Sequence, residues 1–263
     1  MVKIPNIFKR SICFLLALGV ALPCFAENKP EYNAVDTIDG WDNFKSAVTT
    51  DGKYFLIGGA ALTGALLLTR DNFSDQFQSD LAKNKPLGST SGFGDLMGKQ
   101  IPNFIYAGAM ATTGYLYNDN DAIRDASGMM YATVYAGLTT TVLKKMVKEE
   151  RPNKSDVHDS FPSAHTASAF AFASYVGCRH SLPWGIAAYT MATFVGVSRM
   201  NDNAHYLHDV VAGAAIGGAF GLGTCQAENK RIEAITKPKT NVQSSWYVVP
   251  SDGGLAGGVG ISY

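Results

Sequence analysis

Six mostly apolar stretches, at 54–69, 101–117, 127–147, 166–178, 184–197 and 210–225, limit what this chain can become. Each holds three turns of α-helix or more, and none alternates apolar with polar residues as a half-buried strand does. The links between them are short and polar, among them Asn118, Asp119, Asn120 and Asp121, and His180, Ser181, Leu182 and Pro183. The expected fold is therefore all-α, a compact bundle of six principal helices. Glycine, alanine and threonine are frequent in the stretches, which suits close packing of helix on helix.

The ends of the chain have a different character. Lys3, Lys9 and Arg10 precede an apolar run at 12–22, and Cys24, Phe25 and Ala26 offer a cleavage site before Glu27. Residues 1–26 read as a secretory signal peptide, with an uncleaved membrane anchor as the alternative. Residues 27–240 then make one helical domain, opening on a short leading helix that includes Trp41 and Phe44. The polar connection at 71–99 reads as a loop with a short helix near 73–81, or as a lid over whatever site the bundle carries. Residues 241–263 form a Gly-rich, β-like tail, expected as a small hairpin or extended segment. With a net charge of +0 and no basic tract, nothing points to nucleic acid.

Three separated pieces of sequence carry chemistry. Lys144 and Arg151 lie seven residues apart near a helix end, before Pro152 turns the chain away. Ser163 is a natural N-cap for the helix that follows, which puts Ala164 and His165 in its first turn, where free N–H groups and the helix dipole favour an anion. His205 and Asp209 are four apart, a spacing that stacks them on one helical face so that the carboxylate can orient the imidazole. Ser198 and Arg199 precede them. Asp202 competes as an orienting group, and His208, adjacent to Asp209, is expected to face elsewhere. Three cations and two imidazoles around an oxyanion-sized space suit phosphoryl transfer.

The arrangement resembles the type 2 phosphatidic acid phosphatase superfamily, which includes bacterial non-specific acid phosphatases, lipid phosphate phosphatases and vanadium haloperoxidases. Its pattern is a lysine, six residues and Arg-Pro; then Pro-Ser-x-His; then Ser-Arg, five residues, His, three residues and Asp. Lys144, Arg151, Pro152, Pro162, Ser163, His165, Ser198, Arg199, His205 and Asp209 meet every position of it. The resemblance implies a metal-independent phosphatase without a cofactor, acting on a phosphorylated small molecule or a lipid-linked phosphate. His205 would be the nucleophile that becomes phosphohistidine, Asp209 its partner and His165 the general acid. Lys144, Arg151, Ser163, Ala164 and Arg199 would hold the phosphoryl oxygens. Ala164 stands where the family often has glycine, and its small side chain still lets an oxyanion approach the backbone. A vanadium-dependent haloperoxidase is the alternative enzyme, and a catalytically silent helical binding protein the non-enzyme alternative.

Two further expectations concern surroundings. Several apolar stretches fall short of the roughly 20 residues of a membrane span. An exported N-terminus followed by three crossings would also put the catalytic pieces in the cytoplasm, opposite to membrane relatives. The expectation is a soluble periplasmic enzyme with at most peripheral membrane contact, and an integral inner-membrane protein as the alternative. Cys178 and Cys225 lie thirteen and sixteen residues beyond His165 and Asp209, so both reach the far end of their helices and are close enough in depth for a disulfide.

Overall fold

The computed structural model describes residues 39–153, 156–236, 243–251 and 254–262. The expected signal peptide at 1–26 lies outside them. Nine α-helices are present among the described residues, which corrects the expected six. They are α1 (Gly40–Thr49), α2 (Gly52–Leu68), α3 (Asp75–Asn84), α4 (Ser91–Gly98), α5 (Ile101–Tyr117), α6 (Asn120–Val147), α7 (Ala164–Arg179), α8 (Leu182–Asn201) and α9 (Leu207–Thr236). The additions to the six long apolar helices are α1, α3 and α4, each of ten residues or fewer. The short leading helix and the short helix near 73–81 read from the sequence correspond to α1 and α3, whereas α4 was not anticipated. Beyond them, strands β1 (Gln243–Ser251) and β2 (Gly254–Ser262) pair antiparallel, with Trp246 opposite Val259.

Local chemistry sets where the long helices begin and stop. Asp119 caps α6 by accepting from the backbone N–H groups of Asp121 (2.9 Å) and Ala122 (3.2 Å). The same helix stops at Lys148, which turns left-handed at φ 52°. Pro102 and Pro183 sit in the first turns of α5 and α8, where a missing N–H costs no helical bond. Short links make α5 and α6, and α7 and α8, antiparallel neighbours. One end of the bundle therefore collects the ends of α2, α6 and α8 and the starts of α5, α7 and α9.

The centre is built from small residues. A Cβ on Gly213, Gly217 or Gly221 of α9 would collide with the backbone carbonyl oxygens of Ser163, Ala167 and Ala171 respectively. Both series rise by four, so α7 and α9 run parallel, backbone against backbone. Ala132, Ala136, Ala171, Ala173 and Ala219 around this seam are all fully buried. At the far end Cys178 and Cys225 form a disulfide, with Cα atoms 6.4 Å apart. Beside it, Arg179 pairs with Asp125 and donates to Asn229 Oδ1 (2.9 Å), and the Tyr175 hydroxyl donates to Glu228 Oε2 (3.0 Å).

Many large apolar side chains are on the outside. Tyr54, Ile57, Leu62 and Leu68 on α2, Phe104, Ile105 and Leu116 on α5, and Val134, Leu138, Val142 and Met146 on α6 are exposed, Leu68 to 90%. Small residues within and large ones without is the distribution of helices packed in lipid, whereas a soluble monomer rarely exposes apolar faces of this extent. Among the described residues α9 is long and apolar enough to cross a membrane, and α2 passes the same test together with the segment at Arg70–Asn84, bent from it by 79°. The expectation of a soluble periplasmic enzyme is corrected on these grounds: the bundle has the exterior of a membrane-embedded protein.

Replacing Gly217 by alanine should destabilise the protein by about 1–3 kcal/mol, because the obstacle is backbone that no rotamer change can clear. Gly64→Ala meets nothing within 4 Å and should be neutral or stabilising by up to about 1 kcal/mol. Thermal unfolding of detergent-solubilised protein reads both. Reduction of the disulfide, which closes a separation of 47 residues, should remove roughly 2–4 kcal/mol while turnover of the folded protein at moderate temperature persists.

Candidate active site

At the collecting end of the bundle His205 is 2% exposed and sits in the link ahead of α9, not on the helix itself. The expected helical stacking is therefore replaced by another device. Asp209, in the first turn of α9, reaches back and accepts from the backbone N–H of Tyr206 (2.9 Å), as the acidic member of a capping box does. That reach brings Asp209 Oδ2 to 3.4 Å from His205 Nδ1, a long contact, and Nδ1 has no other partner. Ser160 Oγ donates to the same carboxylate oxygen at 2.6 Å. Burial lowers the pKa of His205, and the nearby Lys144 and Arg151 add to this against the opposing pull of Asp209. The imidazole is neutral at pH 7, with Nε2 available as a base or nucleophile.

His208 does not face away. It is fully buried between the rings of Tyr206 (5.3 Å) and Phe161 (6.1 Å), with Nε2 3.4 Å from Asp209 Oδ1. The same nitrogen lies 3.0 and 3.1 Å from the two oxygens of Glu149, which also accepts from Arg70 (2.9 Å). Arg70 in turn covers the Tyr206 ring at 4.5 Å. Glu149, His208 and Asp209 each offer a ligand atom within 4.8 Å of the others, a group that could hold a cation.

Each expected phosphate-binding cation has an acceptor of its own. Lys144 Nζ donates to the carbonyl oxygens of Asp159 and Ser160, the latter at 3.2 Å. Arg151 Nε donates to Asp159 Oδ1 (2.7 Å), and this bond holds the Asp159 carboxyl below its usual pKa. Arg199 Nη1 donates to Asp95 Oδ1 (2.7 Å), with Asp202 farther off at 3.6 Å. His165 Nε2 also lies 3.1 Å from Asp95 Oδ1, without the angle of a hydrogen bond, and Lys99 is 2.8 Å from Asp95 Oδ2. His165 stands in the first turn of α7, ahead of the apolar stretch. Burial, reinforced by Arg199, lowers its pKa to about 4.

Ser163 is the N-cap of α7: its Oγ accepts from Thr166 N–H (3.4 Å) and Thr166 Oγ1 (3.0 Å), which leaves its own hydroxyl hydrogen to donate. Its N–H donates to the carbonyl oxygen of Asp209 (3.0 Å), which ties the two helix starts together. Ala164 is exposed beside it and is not among the residues with positive φ, so alanine carries no backbone strain there. All the expected site residues thus meet at one end of the bundle, with Cys178 and Cys225 at the other. Asp95, Asp159, Glu149 and Arg70 had no assigned place in the sequence reading. Asp95 arrives because Gly94 and Gly98, four apart on α4, present a bare face to Ser198 and His165. Two glycines at helical spacing around an aspartate were the available signal.

The residues gathered at this end of the bundle belong to a known class: at the level of the superfamily, the chain belongs to the PAP2 superfamily, matched by residues 125–233. It is 31% identical over 227 residues to a lipid A 1-phosphatase of Porphyromonas gingivalis, covering 80% of this chain and 48% of that protein. A lipid A 1-phosphatase of Rhizobium johnstonii is 28% identical over 111 residues, 36% of this chain and 45% of that protein. The chain spans about half the length of the curated relatives it matches. The crystal structure of the first transmembrane PAP2 type phosphatidylglycerolphosphate phosphatase from Bacillus subtilis aligns with 18% identity and a TM-score of 0.37, over 85% of this chain and 97% of that one.

Arg199 shares its planar fork with Asp95, and a lysine there would keep the charge but lose the second donor direction. Arg199→Lys should weaken binding of inorganic phosphate or vanadate at least tenfold, read by calorimetric titration of the solubilised protein.

Proposed function

We propose that the chain is a phosphatase of the membrane surface, which cleaves a lipid-linked phosphate by way of a phosphohistidine. The observation that carries the reading is a buried, neutral His205 backed by Asp209 in the midst of Lys144, Arg151 and Arg199. The lipid A phosphatases among its relatives support a lipid-linked substrate over a soluble one.

In this reading Nε2 of His205 attacks phosphorus in line with the departing oxygen. The N–P bond forms as the P–O bond to the alcohol breaks, and protonated His165 transfers its proton to the leaving oxygen. Lys144 and the two guanidinium groups take up charge on the three equatorial oxygens, with Ser163 and the α7 amides beside them. Neutral His165 then removes a proton from water as it attacks the phosphohistidine. This breaks the N–P bond and releases inorganic phosphate with His205 neutral again. Asp209 holds the imidazole through Nδ1 in both steps.

His205→Ala should abolish phosphate release from a lipid phosphate in mixed micelles while leaving the helix content unchanged; full activity in that variant overturns the mechanism. Because His165 must carry its proton to act as an acid and burial lowers its pKa to about 4, kcat/KM with a poor leaving group should decline toward high pH. On the acid side it should fall as His205 gains a proton, below the usual histidine value. His165→Ala should remove the fall at higher pH and spare an activated aryl phosphate, whose alcohol needs little protonation. A chelator arm reads whether the Glu149–His208–Asp209 group holds a cation during turnover. An arm with vanadate, peroxide and bromide tests the haloperoxidase reading, since vanadate has the shape and charge of phosphate.

A further inference from the structure

The hollow beside His165 does not end at the catalytic groups. It is lined by Gly98, Lys99, Gln100, Ile101, Phe104, Ala164 and His165, and Ile101 also lines a second cavity, of about 430 Å³, bounded by α4, α5, α7 and α8. A Cβ on Gly98 would meet the His165 ring at 2.9 Å, and Met97, the next residue, is in the wall of that second cavity. The two spaces are therefore neighbours across one residue of α4.

Carbon surrounds the second cavity. Met97, Phe172, Trp184 and Met191 are half-buried in its walls, Ala188 and Ala192 form a buried floor, and Ile105 stands exposed at the rim. Its polar residues turn their polar atoms elsewhere. The Asn103 amide donates to Thr133 Oγ1 (2.9 Å), and the Tyr106 hydroxyl lies 2.9 Å from His180 Nε2. A larger hollow of about 640 Å³ along α8, at Tyr189 and Thr193, shares no residue with the catalytic one and has no such continuity.

Resting on the phosphatase reading above, we infer that this apolar groove between α5 and α8 receives an acyl chain of the lipid phosphate whose phosphoryl group sits at His205. A lipid phosphate has its charge next to its hydrocarbon, and the hollow beside His165 lies next to the carbon-lined cavity, with Ile101 in the wall of both. The groove makes Ala187 and Ala188 specificity residues: alanine on α8 leaves the width of a chain, and a larger side chain closes it.

Ala188→Leu narrows the floor and Ala187→Phe, at an exposed position, fills the mouth. Phosphate release is measured with a long-chain lipid phosphate in mixed micelles and with a soluble aryl phosphate, beside the melting temperature of each variant. The expected result is a loss of more than tenfold in kcat/KM for the lipid and less than twofold for the aryl ester. Equal loss on both esters, or none on the lipid, overturns the groove while the phosphatase reading stands. An unaltered protein that releases phosphate from neither overturns both. Should the substitutions unfold the protein, a lipid phosphate with a diazirine at its chain end, photolysed on the unaltered protein, decides: labelling at Met191, Phe172 or Trp184 supports the groove, and labelling confined elsewhere overturns it.

Discussion

The contact on which everything else rests is the backbone seam between α7 and α9. Gly213, Gly217 and Gly221 bring one helix against the carbonyl oxygens of the other at every turn. A residue with a Cβ at any of these positions would push the helices apart. Because the seam is parallel, it draws the two helix starts to one place. That is how His165 on α7 and Asp209 on α9 come to share a pocket despite a sequence separation of 44. The Ser163 amide bound to the Asp209 carbonyl closes the seam at the catalytic end, and the disulfide closes it at the other.

Charge in the pocket is arranged in pairs, which an oxyanion bound as proposed would have to share. Arg151 leans on Asp159, Arg199 on Asp95, and Glu149 takes Arg70 with His208. Such carboxylates keep the guanidinium forks pointed without the side-chain entropy cost of ordering them at the moment of binding. In the proposed mechanism His165 has to act as an acid although its pKa is lowered to about 4. In the free pocket burial and Arg199 outweigh Asp95 and hold the proton off His165. A phosphate monoester bound as proposed would add negative charge next to the same ring and raise its affinity for a proton at the stage when the leaving group needs one.

What was legible in the sequence was the part written in spacing. The apolar stretches located the six long helices, and the three motifs located the residues that meet at one end. The position of Ser163 ahead of an apolar run located a cap. The pairing of His205 with Asp209 was anticipated, but its cause was not: the spacing of four looked like one helical face, whereas His205 precedes the helix and Asp209 turns back to cap it. Asp95 and Glu149 were illegible because their partners lie far away in sequence, and only the fold brings α4 and the end of α6 to the pocket. His208 looked like a bystander because adjacent residues on a helix diverge. Its ring lies in the first turn of α9, where Tyr206 and Phe161 clamp it with Nε2 3.4 Å from Asp209.

The soluble expectation failed for a reason that also bears on the substrate. Averaging over the chain mixes polar connections with helices whose outer faces are almost wholly apolar, and the mean hydropathy of +0.01 conceals both. Counting residues per stretch misled as well. At 17 residues α2 and α5 are about 25 Å long, short of the roughly 30 Å hydrocarbon layer, but a bilayer can thin around a short helix at modest cost. In such a setting the catalytic cluster at the helix ends lies at the level of lipid headgroups, and the sides of α5 and α8 lie among the chains. On the proposed reading, phosphoryl chemistry at the polar end and a carbon-lined groove beside it would follow from one orientation, with an amphipathic substrate matched along its length by the helices around it.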